Sequence, residues 1–213
     1  AYLIERLKFK RIAILIQADE FGLALEKYHL EAFNQYGLNP VAQTRYKRNT
    51  LDVVRVSKRL LKAKPEAVLF VGTYRPLNEL IRLMAIKNQQ PVFASVSFIS
   101  SQVLFELVPD DTKLVITEVV PDPTSCNWAV CQQFMQEAKA NQMAQVNRVQ
   151  FEGYLNALYL SKAASLCQNT LNKACLASAL EQTQVELGEQ SLSFSKQFRQ
   201  MNHNIYLNLM NLP

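Results

Sequence analysis

Long apolar runs are missing from this chain. None approaches the roughly 20 residues that a membrane-spanning helix needs, and the opening AYLIERLKFK lacks the layout of a secretory signal. Glycine is scarce, with 5 in 213 residues, and none falls in a G-x-G-x-x-G or Walker-type loop, so the backbone cradles that hold nucleotide phosphates are not expected. A G-x-S-x-G elbow is absent too, which leaves no α/β-hydrolase nucleophile. The two histidines, His29 and His203, are isolated, and no cysteine pair has C-x-x-C spacing, so no metal centre is expected. Charge is modest: 23 Lys and Arg against 18 Asp and Glu leave a net +5. The densest basic stretch, Arg55, Lys58, Arg59, Lys62 and Lys64, lies opposite Val53, Val56, Leu60 and Leu61 on a helical wheel. That pattern is a solvated helix face and not a nucleic-acid surface, because no aromatic or glycine-rich partner accompanies it.

What is present is a 49% hydrophobic chain of ordinary globular composition, with room for one large or two small domains. Its organising stretch is residues 66–76, EAVLFVGTYRP. Val68, Leu69, Phe70 and Val71 form a run too short and too continuous for a half-exposed strand, so they predict a parallel strand buried on both faces. Gly72 lets the chain turn and Pro76 suits the first position of a helix. Thr73 and Tyr74 then sit just outside the carboxyl end of a central strand, where open α/β sheets bind ligands.

Strand and helix signals alternate around this centre. Residues 11–17 predict a second buried strand. Residues 21–36 predict a helix with Leu25, Tyr28, Ala32, Phe33 and Tyr36 on one face and Gly37 as its cap. Residues 40–47 alternate as a more exposed strand would, and Thr50 with Asp52 opens a helix that ends near Lys64. Leu77, Leu80, Ile81 and Met84 stripe the helix after the central strand; residues 91–97 and 113–120 are the fourth and fifth strands, with a short helix at 100–107 between them. This alternation predicts an α/β fold, a doubly wound parallel sheet over residues 1–120. Tyr2, Leu3, Ile4 and Leu7 predict the tail of a core helix, as though the sequence were a piece of something longer.

VPDPTS, with two prolines, marks a boundary. Helices are expected over 127–139, 149–166 and about 175–180, giving a mostly helical segment at 121–187. SLSFS and NIYLNLM predict C-terminal strands within 188–213 that return to the first lobe. Amphipathic helices of this kind ordinarily cover a sheet, and this half shows none of its own. Cys126 with Cys131 and Cys167 with Cys175 form two close pairs, compatible with two local disulfides in an oxidising compartment or with four buried thiols in a reducing one.

Six phrases in order carry a resemblance: KRIAILIQADEFG, EAVLFVGTYRPLNELIR, FASVSFISS, VVPDP, EGYLNALYLSKA and LSFS before an alternating strand. Together the sequence resembles the type I periplasmic solute-binding proteins of ABC transporters, in the branch of the leucine/isoleucine/valine-binding proteins. The resemblance implies two doubly wound lobes that close by hinge motion on a small molecule, with residues 10–119 as the second lobe and the first part of the N-terminal lobe lacking. It implies no cofactor, an ABC-transporter permease as partner, no nucleic acid and a periplasmic location, in which Cys126, Cys131, Cys167 and Cys175 are disulfide candidates.

By position Phe21 stands where the aromatic of a D-x-Y-G pattern would, Thr73 and Tyr74 follow the central strand, and Ser97 with Phe98 ends the fourth. These five are the ligand-binding residues that the resemblance implies. Their plainer roles would be helix-start packing for Phe21, strand-end cover for Tyr74 and helix capping for Ser97. Amino-acid-binding members carry a carboxylate near the end of the fourth strand to meet the ligand's ammonium group. Here Ala94, Ser95, Val96 and Ser97 supply none, which turns the expectation from an amino acid toward an amide or a small carboxylate. With one lobe intact, weak or no small-molecule binding is expected of this chain alone. The competing expectation is a sensory or protein-interaction module that associates through its helical half, for instance as a homodimer. Catalysis is least expected, because Asp19, Glu20, Glu118 and Asp122 come without a paired nucleophile and base.

Overall fold

The computed structural model describes residues 1–167, 171–194 and 200–213, with Gln190 described by its backbone alone. The chain forms two compact units, Ala1–Thr117 with Leu207–Pro213, and Glu118–Tyr206.

In the first unit β1 (Ile12–Gln17), β2 (Gln43–Tyr46), β3 (Ala67–Val71), β4 (Val92–Val96) and β5 (Leu114–Glu118) alternate with four helices. These are α1 (Glu20–Gln35), α2 (Val54–Ala63), α3 (Tyr74–Ile86) and α4 (Ser101–Leu107). The sheet runs β2-β1-β3-β4-β5 with each neighbouring pair parallel, and a final strand at Tyr206–Met210 adjoins β5. Side chains alternate across a strand, so β1 sends Ala13 and Leu15 into a core with Phe70, Leu77 and Met84. Ile12, Ile14 and Ile16 go to the opposite face, against Phe33 of α1. Every β1 position is buried, which is why its sequence is a continuous apolar run. The edge strand β2 has apposite character: it alternates exposed and buried positions. The basic residues Arg55, Lys58, Arg59 and Lys62 of α2 are exposed while Val56 and Leu60 face the core.

The second unit contains α5 (Ala129–Ala140), α6 (Arg148–Ser165) and α7 (Lys173–Gln182), then an antiparallel hairpin of β6 (Gln184–Leu187) and β7 (Gln190–Ser193). The strand at Tyr206–Met210 is therefore β8. Asn147 and Gln150 close a capping box at the start of α6, worth about 1 kcal/mol. The hairpin turns at Gly188, whose φ of +65° and whose Cβ position, 2.2 Å from the Trp128 indole, both require glycine. Phe134, Phe151, Leu155, Leu187 and Leu192 form the core of this unit. Disulfides join Cys126 to Cys131 and Cys167 to Cys175.

Several elements differ from the sequence expectation. The opening core helix is a single π-helical turn at Tyr2–Arg6, ended where Lys8 takes a φ of 59°. α3 starts at Tyr74, two residues before Pro76, since the first four N–H groups of a helix lack intrahelical acceptors and a missing donor is harmless there. The helical half has a small sheet of its own, β6-β7, where none was expected. Of residues 188–213, only Leu207–Pro213 groups with the first unit. Residues 190–193 do alternate as a strand, but Leu187 and Leu192 bury themselves with Phe151 and Leu155, and that burial holds the hairpin in the second unit. Ser195, the end of the expected SLSFS strand, and residues 168–170 of the loop between Cys167 and Cys175 lie outside the described residues.

Candidate functional site

The strand order reverses between β1 and β3, because the chain steps outward from β1 to β2 and then crosses back. A parallel sheet opens a crevice at the carboxyl ends of its strands at such a reversal. The corner after β1 is built around Asp19. Its backbone is extended, its Oδ1 accepts the Gly22 N–H at 2.9 Å, and it thereby caps α1. The other oxygen accepts from Gln17 Nε2 at 2.9 Å and pairs with Arg48 at 3.2 Å. Gly22 is dictated by space, because a Cβ there would lie 2.0 Å from the Gln17 carbonyl oxygen.

This corner holds Phe21 in the first turn of α1, 39% exposed. Phe98, in the turn after β4 and 58% exposed, meets it with ring centroids 5.0 Å apart and planes at 43°. The two rings come from the corners of strands that flank β3. Tilted aromatic pairs at this separation contribute about 0.5–1.5 kcal/mol beyond their burial.

The corner after β3 is pinned from below. Tyr46 of β2 is buried and stacks on Phe70 at 5.9 Å. A Cβ on Gly72 would come within 1.9 Å of the Tyr46 hydroxyl, so the chain turns over that oxygen only as glycine. The Thr73 N–H approaches the phenol without the geometry of a full hydrogen bond. Burial pushes the Tyr46 hydroxyl up to about 12; Thr73 opposes the shift and the Asp19 carboxylate adds to it. Thr73 is exposed and occupies the N-cap of α3 without using its hydroxyl in the cap. Tyr74 is half-buried against the core, with the Arg75 guanidinium 5.8 Å from its ring centre and Arg75 Nε donating to its hydroxyl at 3.3 Å.

The structure thus brings Phe21 and Phe98 into contact, and it puts Thr73, Tyr74 and Ser97 at corners of the same sheet edge. Strand-end cover describes part of Tyr74. Ser97 is no helix cap, since Ser100 holds the N-cap position of α4. Sequence reasoning missed Arg48, Tyr46 and Arg75. The signal for Tyr46 was Gly72 itself, a glycine directly after a buried strand, which marks a close approach of some neighbour.

Asp19 and Asp122 have structural employment. Asp122 accepts the Thr124 N–H and hydroxyl at 2.9 and 2.7 Å and pairs with Arg148 at 3.4 Å. Burial works to raise its pKa, but the Thr124 hydrogen bonds and Arg148 outweigh it and hold the carboxyl below its usual value. Glu118 is buried at the end of β5. Among the described residues no cluster of three or more His, Cys, Asp or Glu could hold a metal ion. A recess of about 530 Å³ opens at the opposite edge of the sheet, between the segments that lead into β3 and β4, and none of the five ligand candidates lines it.

The sequence profile of the periplasmic binding proteins matches residues 1–210. No curated protein sequence matches the chain. Among solved structures, a possible leucine/isoleucine/valine-binding protein from Rhodopirellula baltica superposes with a TM-score of 0.87 at 26% identity, over 96% of this chain and 58% of that one. A leucine-binding protein from Thermotoga maritima gives 0.80 at 12% identity, over 99% and 63%. An ABC-transporter substrate-binding protein from Aeropyrum pernix gives 0.78 at 18% identity, over 98% and 61%. This chain therefore spans about three-fifths of the length of each.

Proposed function

The chain belongs to the periplasmic binding protein family, and on that premise we propose that it is part of an extracytoplasmic solute-binding protein of an ABC transporter. It acts without catalysis. A small molecule such as an amino acid, an amide or a small carboxylate rests on the edge formed by Phe21, Thr73, Tyr74, Ser97 and Phe98. Its contacts favour a closed form by their differential affinity, and that form is what a permease recognises.

The observation that carries this reading is the Phe21–Phe98 pair, two large rings left partly exposed at the strand ends beside the switch point. Within the ligand class, a carboxylate fits best. The end of β4 offers no acid, Ser95 Oγ is already donating to the Phe70 carbonyl at 2.9 Å, and Arg75 supplies a cation beside Tyr74. The two disulfides support an oxidising, periplasmic compartment.

The test is saturation-transfer NMR with matched carboxylates, amides and amino acids on this chain and on a Phe21→Ala/Phe98→Ala double variant. Carboxylates are expected to give the strongest, though weak, transfer, and the variant to abolish it. Transfer that survives in the variant overturns the site.

A second reading has one observation behind it. Val149 and Leu160, three turns apart along α6, are 46% and 48% exposed, as a helix that meets a partner chain would be. Light scattering that shows a clean monomer at high concentration removes it.

A further inference from the structure

The second unit holds an open recess of about 280 Å³ that the reading above leaves unused. It is built on one face of α6, where Glu152, Leu155 and Asn156 follow one another at helical spacing. Leu155 is buried in the core, and this draws Glu152, one turn earlier, to the cavity wall. Val119, Val120, Leu192, Phe194 and Met201 supply the apolar remainder of the lining.

One carboxylate, that of Glu152, and three side-chain amides, those of Asn156, Gln200 and Asn202, line this space. Glu152 takes part in no hydrogen bond or ion pair among the described residues, and burial alone raises its pKa. Asp122, in the same unit, makes three polar contacts with two residues, Thr124 and Arg148. Asn202 is committed, donating to the Val119 carbonyl at 2.6 Å and accepting the Asn204 N–H at 2.9 Å. Gln200 donates its Nε2 to the Asn202 carbonyl at 2.8 Å, which leaves its Oε1 as an acceptor. No Lys, Arg or His lines the cavity among the described residues.

Among the described residues the lining offers one carboxylate, three amides and no cationic side chain, and these groups favour a cation over an anion. They also select against hard metal ions, which need six or more oxygen ligands. What they suit is a cation with several N–H donors and an apolar body. The volume lies at the small end of ligand pockets, which run from roughly 300 Å³ upward, so that body is short.

We propose that this cavity binds a small primary alkylammonium ion, with Glu152 as its counter-charge and Val120, Leu155 and Leu192 packing its chain. The site shares no residue with the Phe21–Phe98 edge and stands whether or not that edge binds a solute.

The probes are n-pentylamine as its hydrochloride and n-pentanol, titrated by calorimetry into the chain, into Glu152→Gln and into Phe21→Ala. Pentylammonium is expected to bind saturably to the unaltered chain. Affinity should fall about tenfold or more in Glu152→Gln, as loss of a charge-assisted bond requires, and stay unchanged in Phe21→Ala. The comparison with n-pentanol on the unaltered chain asks the same question without a variant, and the alcohol should bind clearly more weakly. Equal affinity of the amine for Glu152→Gln, equal binding of the alcohol, dependence on Phe21, or no saturable binding at all would each overturn the proposal.

Discussion

The two units reach stability by different routes. The first buries a five-stranded parallel run between two layers, with β1 dry at every position, and holds no cysteine. The second has, among the described residues, three helices and a two-residue-turn hairpin around a smaller core, and carries both disulfides. Where apolar burial suffices no covalent link is used; where the core is thin, cross-links restrict the unfolded chain instead.

This contrast can be broken most severely in the first unit. Phe70→Ala removes a ring packed between Tyr46 and the α3 side of the core, and should cost about 3–5 kcal/mol in urea unfolding followed by circular dichroism. The single tryptophan, Trp128, belongs to the second unit and provides an independent probe. If its fluorescence transition moves as far as the dichroism transition, the two units unfold as one and the contrast is only local.

A smaller effect belongs to the second unit. Replacing Cys126 and Cys131, or Cys167 and Cys175, by serine opens loops closed over separations of 5 and 8 residues. Each loss should cost about 2 kcal/mol by loop entropy, seen as a lower midpoint of the Trp128 transition. An unchanged midpoint would mean that the helices need no staple.

The smallest effect is one of pH. The Glu66 carboxyl accepts the Lys10 and Arg11 backbone N–H groups at 2.8 Å each, and these bonds hold its pKa below the usual 4.5. Its folded pKa is depressed, so its contribution is present above about pH 4.5 and fades as pH falls through the lowered value. Acid titration of Glu66→Gln should flatten that part of the stability curve slightly, and identical curves would show the bonds to be silent.

How far the sequence could be read follows the same division. The strands β1, β3 and β4 were legible because burial on both faces leaves an uninterrupted apolar run, and no helix of that length imitates it. The β6-β7 hairpin was not, because each strand is four residues long and its sheet membership is decided by where Leu187 and Leu192 find a core. At the candidate edge, the corner positions of Phe21, Tyr74 and Phe98 were readable from the strand ends that precede them. The contact of Phe21 with Phe98, the Asp19–Arg48 pair and the hydroxyl of Tyr46 under Gly72 were not, since each joins corners far apart in the chain.

By itself the sequence determined which segments are strands and helices in the first unit, through the period of their apolar residues, and which residues stand at the strand ends. Only the tertiary structure decided the order in which strands lie side by side, and with it which of those corner residues meet. Pairing depends on burial summed over distant segments, and that sum is not written in any local pattern.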